Sequence, residues 1–155
     1  MDIAFVRQKF PGLRDDFIFM DNAGGSQVLG GVIGRTADYL KNYYVQLGAT
    51  YEISSKASLK LHESLHSISS FINAKDTKEI IVGPTTTMLL RILSICISRQ
   101  WKQGDEVIVS NSDHEANVSC WTDLQEKGII IKVWKLNPET LELDLGDLIK
   151  LLTPR

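Results

Sequence analysis

Apolar residues change their rhythm along this chain. From about Val28 they recur at spacings of three and four, through Val32, Thr36, Tyr39, Leu40, Tyr43 and Leu47, which predicts a helix. LGATYEISS interrupts it. A second long helix is expected from about Ser55 to Asn73, with Ala57, Leu61, Leu65, Ile68, Phe71 and Ile72 as its apolar stripe and Ser54 or Ser55 as its cap. Ahead of both, Asp2 can cap a short helix running to about Phe10, ended by Pro11-Gly12. FIFM (17–20) reads as a short strand, and the turn-forming stretch DNAGGSQ follows it.

After Asn73 short β runs alternate with helices. EIIV (79–82), EVIVS (106–110) and IIIKVW (129–134) are the β runs. Helices are predicted from about Thr87 to Ser98 and from about Asn117 to Lys127, the second stopped by Gly128. Asp144 can cap a last short helix. The β runs are too apolar to leave one face in water, so the expected class is α/β with a mostly parallel, covered sheet. The expected division is a helical N-terminal segment, 1–73, placed as an arm or lid on an α/β part, 74–155.

Composition narrows the class without naming it. The 155 residues are 43% hydrophobic and 23% charged, and 17 Lys and Arg stand against 19 Asp and Glu for a net charge of −2. Ordinary globular usage with no basic excess argues against nucleic acid as the main partner. No apolar stretch is long enough to span a bilayer, and the N-terminus lacks the apolar core of a secretory signal. Cys96 and Cys120 lie in apolar or helical surroundings, as in a reducing, cytoplasmic compartment.

Two strand-to-helix loops can carry chemistry, because ligands of open α/β sheets bind beyond the carboxyl ends of the strands. In GPTTT (83–87), Gly83 permits a tight turn and three threonines set hydroxyls beside the free N–H groups of a helix start, which suits a phosphate. The glycine spacing and lysine of a P-loop are missing, and the plainer alternative is that Thr85 or Thr86 only caps the helix. In SNSDHEANVSCW (110–121), His114 stands just past a β run. A histidine there can stack on an aromatic ligand or move protons, or simply bond to backbone. His62 and His66, at i and i+4 in HESLH, read as a solvated helix side rather than a zinc face, so no metal is expected. Cys120 reads as a packed thiol.

FIFMDNAGGSQ, IIVGPTTTMLL and GDEVIVSNSDHEANVSCW occur in this order and, taken together, resemble the class V aminotransferase family of fold-type-I pyridoxal-phosphate (PLP) enzymes, in particular its cysteine-desulfurase-like branch. The resemblance covers about Phe17 to Arg155. It implies the N-terminal part of a fold-type-I large domain, an incomplete three-layer α/β/α arrangement with a mostly parallel sheet, preceded by a helical arm. It implies PLP as cofactor and an amino-acid substrate handled through an aldimine. His114 matches the histidine that stacks on the pyridine ring and assists proton transfer. Thr86 and Thr87 match the loop that holds the cofactor phosphate. Asn117 and Trp121 match positions that support the site, and Ala23 and Gly24 match the loop near the substrate. A homodimer is implied by the family.

Two departures shape the expectation. Many cysteine desulfurases carry Arg-Gly-x-His after the first long helix, where this chain reads Leu47-Gly48-Ala49-Thr50. Transamination, sulfur removal and another lyase step therefore stay open. None of the lysines here matches the family's Schiff-base motif, nor is the aspartate that pairs with the pyridinium nitrogen present. The expectation is accordingly an N-terminal, truncated portion of such an enzyme, inactive by itself and exposing apolar strand faces and edges. The alternative is a catalytically inactive fragment or dimerisation module.

Overall fold

Asp2 opens the first helix, α1 (Ile3–Arg7), by accepting the Phe5 N–H at 3.0 Å. The computed structural model describes residues 1–155 and divides them into two compact units, Met1–Ile80 and Ile81–Arg155. In the first unit α2 (Gly30–Asn42) begins two residues later than its apolar rhythm and has no side-chain cap. The second long helix, α3 (Glu52–Phe71), also starts without one, on Tyr51. Ser54 is therefore not the expected cap. It is fully buried inside α3, where its hydroxyl donates to the Gln46 carbonyl at 2.6 Å and accepts the Ala49 N–H at 3.0 Å. That bond ties the preceding loop to the helix, and Ala57 is buried one turn on. The predicted stripe is only partly covered: Leu65 is half-buried, whereas Phe71 is exposed.

FIFM does not form the predicted strand. Residues 17–20 are irregular, with the Phe17 and Phe19 rings edge-on at 4.8 Å and Ile18 and Met20 open to solvent. A strand is stabilised by a ladder partner, and the first unit contains no strand to supply one.

EIIV, whose residues fall on both sides of the boundary between the units, is corrected in the same way. Glu79 closes a 3₁₀ turn, Thr77–Glu79, and residues 80–82 run on unpaired, with Ile81 78% exposed. Three helices and two strands follow: α4 (Thr86–Ser98), β1 (Glu106–Ser110), α5 (Glu115–Thr122), β2 (Ile130–Trp134) and α6 (Leu145–Leu151). β1 and β2 pair in parallel from Glu106↔Ile130 to Ser110↔Trp134, with α5 and a 3₁₀ segment, Asp123–Lys127, as the crossover. Gly128 ends that crossover at φ +80°, where a side chain is strained and a Cβ would meet Gln103 Cγ at 2.7 Å.

The core of the second unit is Val109, Ala116, Cys120, Leu124 and Ile129. α4 turns Ser94 and Ser98 inward and leaves Ile92 and Ile95 exposed. Both serine hydroxyls bond back to carbonyls of their own helix, at 2.9 and 3.2 Å, so their burial leaves no polar group unmet. Burial raises the Cys120 thiol above the ordinary range, consistent with a packed residue. No helix is long and apolar enough to cross a membrane.

Asp144 caps α6 as expected, accepting the Asp147 N–H at 3.1 Å. The far end of α6 is fastened to the sheet. Lys132 Nζ donates to Glu106 Oε2 at 2.6 Å and to the Leu151 carbonyl at 2.9 Å, and the Thr153 hydroxyl donates to the same carboxylate oxygen. The Lys132 hydrogen bond, then that of Thr153, holds Glu106 below its ordinary value of 4.5. A depressed carboxylate contributes stability that is full above that ordinary value and is lost as pH falls through the folded one. All three tryptophans (Trp101, Trp121 and Trp134) lie in this unit, so their fluorescence reports on it alone. Urea midpoints read this way are expected to fall more steeply below pH 4.5 in the parent than in Glu106→Gln. Parallel pH profiles would remove the fastening role.

Candidate functional site

Thr85 caps α4: its hydroxyl accepts the Met88 N–H at 3.1 Å, and its carbonyl accepts the Leu89 N–H. The plain capping role thus falls to Thr85. Thr86 and Thr87 become the first two helical residues, exposed, with N–H groups that have no carbonyl one turn back to bond. Gly83 lies close under Leu89: a Cβ there would meet Leu89 Cδ2 at 2.6 Å, so the leucine side chain would have to shift.

His114 is itself the cap of α5, which starts at Glu115 rather than the predicted Asn117. The Ala116 N–H donates to its Nδ1 at 3.0 Å. Backbone bonding is therefore real, yet it occupies one ring nitrogen. Nδ1 carries the lone pair, so the neutral ring bears its proton on Nε2 and keeps both faces free of the cap.

Asp113 accepts the His114 N–H at 2.7 Å and, through its other oxygen, the Asn117 carboxamide N–H at 2.5 Å. The Asn117 carbonyl oxygen accepts the Trp121 indole N–H at 3.2 Å. Asn117 is thereby held from both ends in one orientation. Sequence reasoning passed over Asp113. The available signal was its place just ahead of the α5 cap, with Asn117 and Trp121 one turn apart on one face of that helix.

These residues meet. Thr86, Thr87, Leu90, Asp113, His114, Ala116 and Asn117 line a pocket of about 470 Å³, within the range of small-molecule sites. Four of the expected cofactor residues, Thr86, Thr87, His114 and Asn117, stand around this one space. Ala23 and Gly24 belong to the other unit, in a turn where the Gly24 N–H bonds the Asp21 carbonyl and carboxylate. His62 and His66 are exposed on α3, and no three His, Cys, Asp or Glu side chains converge as a metal-ligand group.

The lining suits a phosphorylated flat ring. Helix-start N–H groups and threonine hydroxyls provide for the anion, and an imidazole provides a flat partner. The one carboxylate in the wall, Asp113, has both oxygens engaged by N–H donors. No lysine lines the pocket.

Known proteins agree with this architecture. The profile of the family described as aminotransferase class-V matches residues 18–155. An aminotransferase-like protein of Gibberella zeae is 38% identical over 152 residues, covering 90% of this chain and 37% of its own length. A cysteine desulfurase of Serratia proteamaculans is 30% identical over 150 residues, covering 91% of this chain and 37% of its own. The solved structure of the cysteine desulfurase CsdA from Escherichia coli superposes with a TM-score of 0.77 at 26% identity, over 98% of this chain and 39% of that one. The chain therefore spans between one third and two fifths of the length of these relatives. Its fold is the N-terminal part of a fold-type-I large domain, with a small parallel sheet formed. The chain belongs to the aminotransferase class-V family.

Proposed function

We propose that the pocket at the starts of α4 and α5 is the phosphate and ring side of a PLP site, in a class V aminotransferase or cysteine-desulfurase-like enzyme acting on an amino acid. The convergence of Thr86, Thr87, His114 and Asn117 on one pocket, from two separate strand-to-helix loops, carries the proposal. Thr86 and Thr87 bind the phosphate through N–H and hydroxyl groups. His114 lays its ring on the pyridine and holds a proton on Nε2. Asn117 fixes the pocket wall. PLP, when bound, draws electrons from the substrate's α-carbon. Residues 74–155 are then the cofactor-binding part and 1–73 a helical segment. A homodimer in the cytoplasm completes the proposal, in keeping with two unpaired cysteines.

Pyridoxamine 5′-phosphate tests it, because it has no aldehyde to bond stray lysines. His114 has two roles, cap and ring partner, and two variants separate them. His114→Asn keeps a good cap and removes the imidazole, so stability should hold while affinity falls roughly threefold to tenfold. His114→Phe keeps a flat ring and removes the cap. Stability should drop by about 1 kcal/mol and affinity should largely remain. Equal affinity in the parent and His114→Asn would overturn the stacking role.

A further inference from the structure

Trp121 does not line the candidate pocket. It lines a neighbouring hollow of about 260 Å³ together with Ile108, Val109, Ser110, Trp134 and Leu143, and the two spaces share Asp113 and Asn117 as their common wall. The orientation of that wall is set from the Trp121 side. The Trp121 indole N–H holds the Asn117 carbonyl oxygen, the Asn117 N–H holds Asp113, and Asp113 holds the His114 backbone N–H. Trp121 in turn stacks on Trp101, with ring centroids 6.2 Å apart and planes inclined by 28°. Trp101 lies just past the end of α4, outside every motif, and both tryptophans are half-buried.

We propose that Trp101 is a positioning residue for Asn117 and His114, acting through Trp121; its consequence for the cofactor rests on the assignment of the pocket above. An indole can present its N–H to one acceptor only while its ring plane is held. The Trp101 ring supplies that hold, and the aligned N–H selects one of the two orientations open to the Asn117 carboxamide. Asn117 then directs its amide group to Asp113, and Asp113 pins the backbone from which the His114 ring projects. α4 is thereby tied to α5 at a point away from the pocket. A second tie, the Arg91–Asp123 ion pair at 2.8 Å, joins the same helix to the segment that follows α5. Truncating Trp101 therefore removes a hold on the ring-side wall and leaves the Thr86 and Thr87 donors in place.

The test uses the full chain labelled with ¹⁵N at histidine and asparagine side chains. Trp121→Phe keeps a ring and deletes the N–H. It should move the Asn117 carboxamide signals and lower pyridoxamine 5′-phosphate affinity roughly threefold to tenfold, the effect of one hydrogen bond. Trp101→Ala should move the same Asn117 signals and the His114 imidazole signals, and lower affinity similarly. The double variant should lose little more than Trp121→Phe alone, because both act on one chain of contacts. Inorganic phosphate should bind all three variants as it binds the parent. Trp101→Leu, which keeps apolar bulk without a flat ring, carries the same readout if the alanine variant fails to fold. A fall in melting temperature with unmoved Asn117 and His114 signals would make Trp101 a packing residue only and overturn the proposal. Failure of the parent to bind pyridoxamine 5′-phosphate would reject the cofactor assignment instead, while the side-chain signals still decide whether Trp101 positions Asn117.

Discussion

Leu124→Ala is expected to destabilise the Ile81–Arg155 unit by about 2–5 kcal/mol, the usual range for emptying a packed leucine site. Leu124 is 3% exposed in the 3₁₀ segment between α5 and β2, among a core that includes Val109, Ala116, Cys120 and Ile129. A unit this small draws only about 3–5 kcal/mol from a single core, so the variant should lose a large part of its stability. Urea titration followed by tryptophan fluorescence reads the effect. Ile81→Ala is the matched control. Its side chain is apolar and of similar size but 78% exposed, so the change should stay within about 0.5 kcal/mol. Equal losses in the two variants would mean that the core lies elsewhere than between α5 and the two strands.

That contrast also shows which parts of the fold could be read from the chain. β1, β2, α4, α5 and α6 were legible because each signal was local: an apolar run, a helical rhythm, a cap, a stop. Asp144 and Gly128 act where the sequence placed them. FIFM and EIIV are short apolar runs like β1 and β2 but form no strand. Residues 80–82 show the reason. Strand propensity selects extended backbone, while strand formation requires a partner ladder, which is a tertiary property. Ser54 and Ser94 failed to read as buried for a related reason. A serine on a helix is buried when its hydroxyl finds a carbonyl, at Gln46 for the first and Arg91 for the second, and hydropathy contains no record of that.

The candidate site divides along the same line. Residues held by their own loop, Thr86, Thr87, His114 and Asn117, were recognisable, since a helix start and a strand tip are local features. The structure adds that Thr85, not its neighbours, takes the capping bond, which leaves Thr86 and Thr87 free for a ligand. It also makes His114 a cap. That role is compatible with stacking because it occupies only the Nδ1 edge of the ring. Asp113 was within reach as the acidic neighbour of His114 just ahead of α5. Trp101 was not, because nothing in the sequence relates it to Trp121 before α4 and α5 are packed.

The α4 start supplies the second large effect, one in which stability and binding should move in opposite directions. Thr87→Glu places a carboxylate in the first turn of a 13-residue helix, at the positive end of its dipole. The fold should gain about 0.3–1 kcal/mol from that charge. A phosphate bound at the same N–H groups would meet the carboxylate within a few ångströms, a repulsion on the order of several kcal/mol near a protein surface before solvent and salt reduce it. Affinity for pyridoxamine 5′-phosphate should therefore fall at least tenfold while the urea midpoint rises. Thr87→Gln has the same size without the charge, so it measures the loss due to the hydroxyl and to bulk. Added salt should recover part of the loss in the glutamate variant and little in the glutamine variant, because screening acts only on the charge. Pyridoxamine, which lacks the phosphate, should bind the parent and the glutamate variant alike. If glutamate and glutamine weaken phosphate-ester binding equally, the α4 start is a steric wall and the anion is held elsewhere. If stability rises and binding does not change, the free N–H groups of Thr86 and Thr87 serve no ligand.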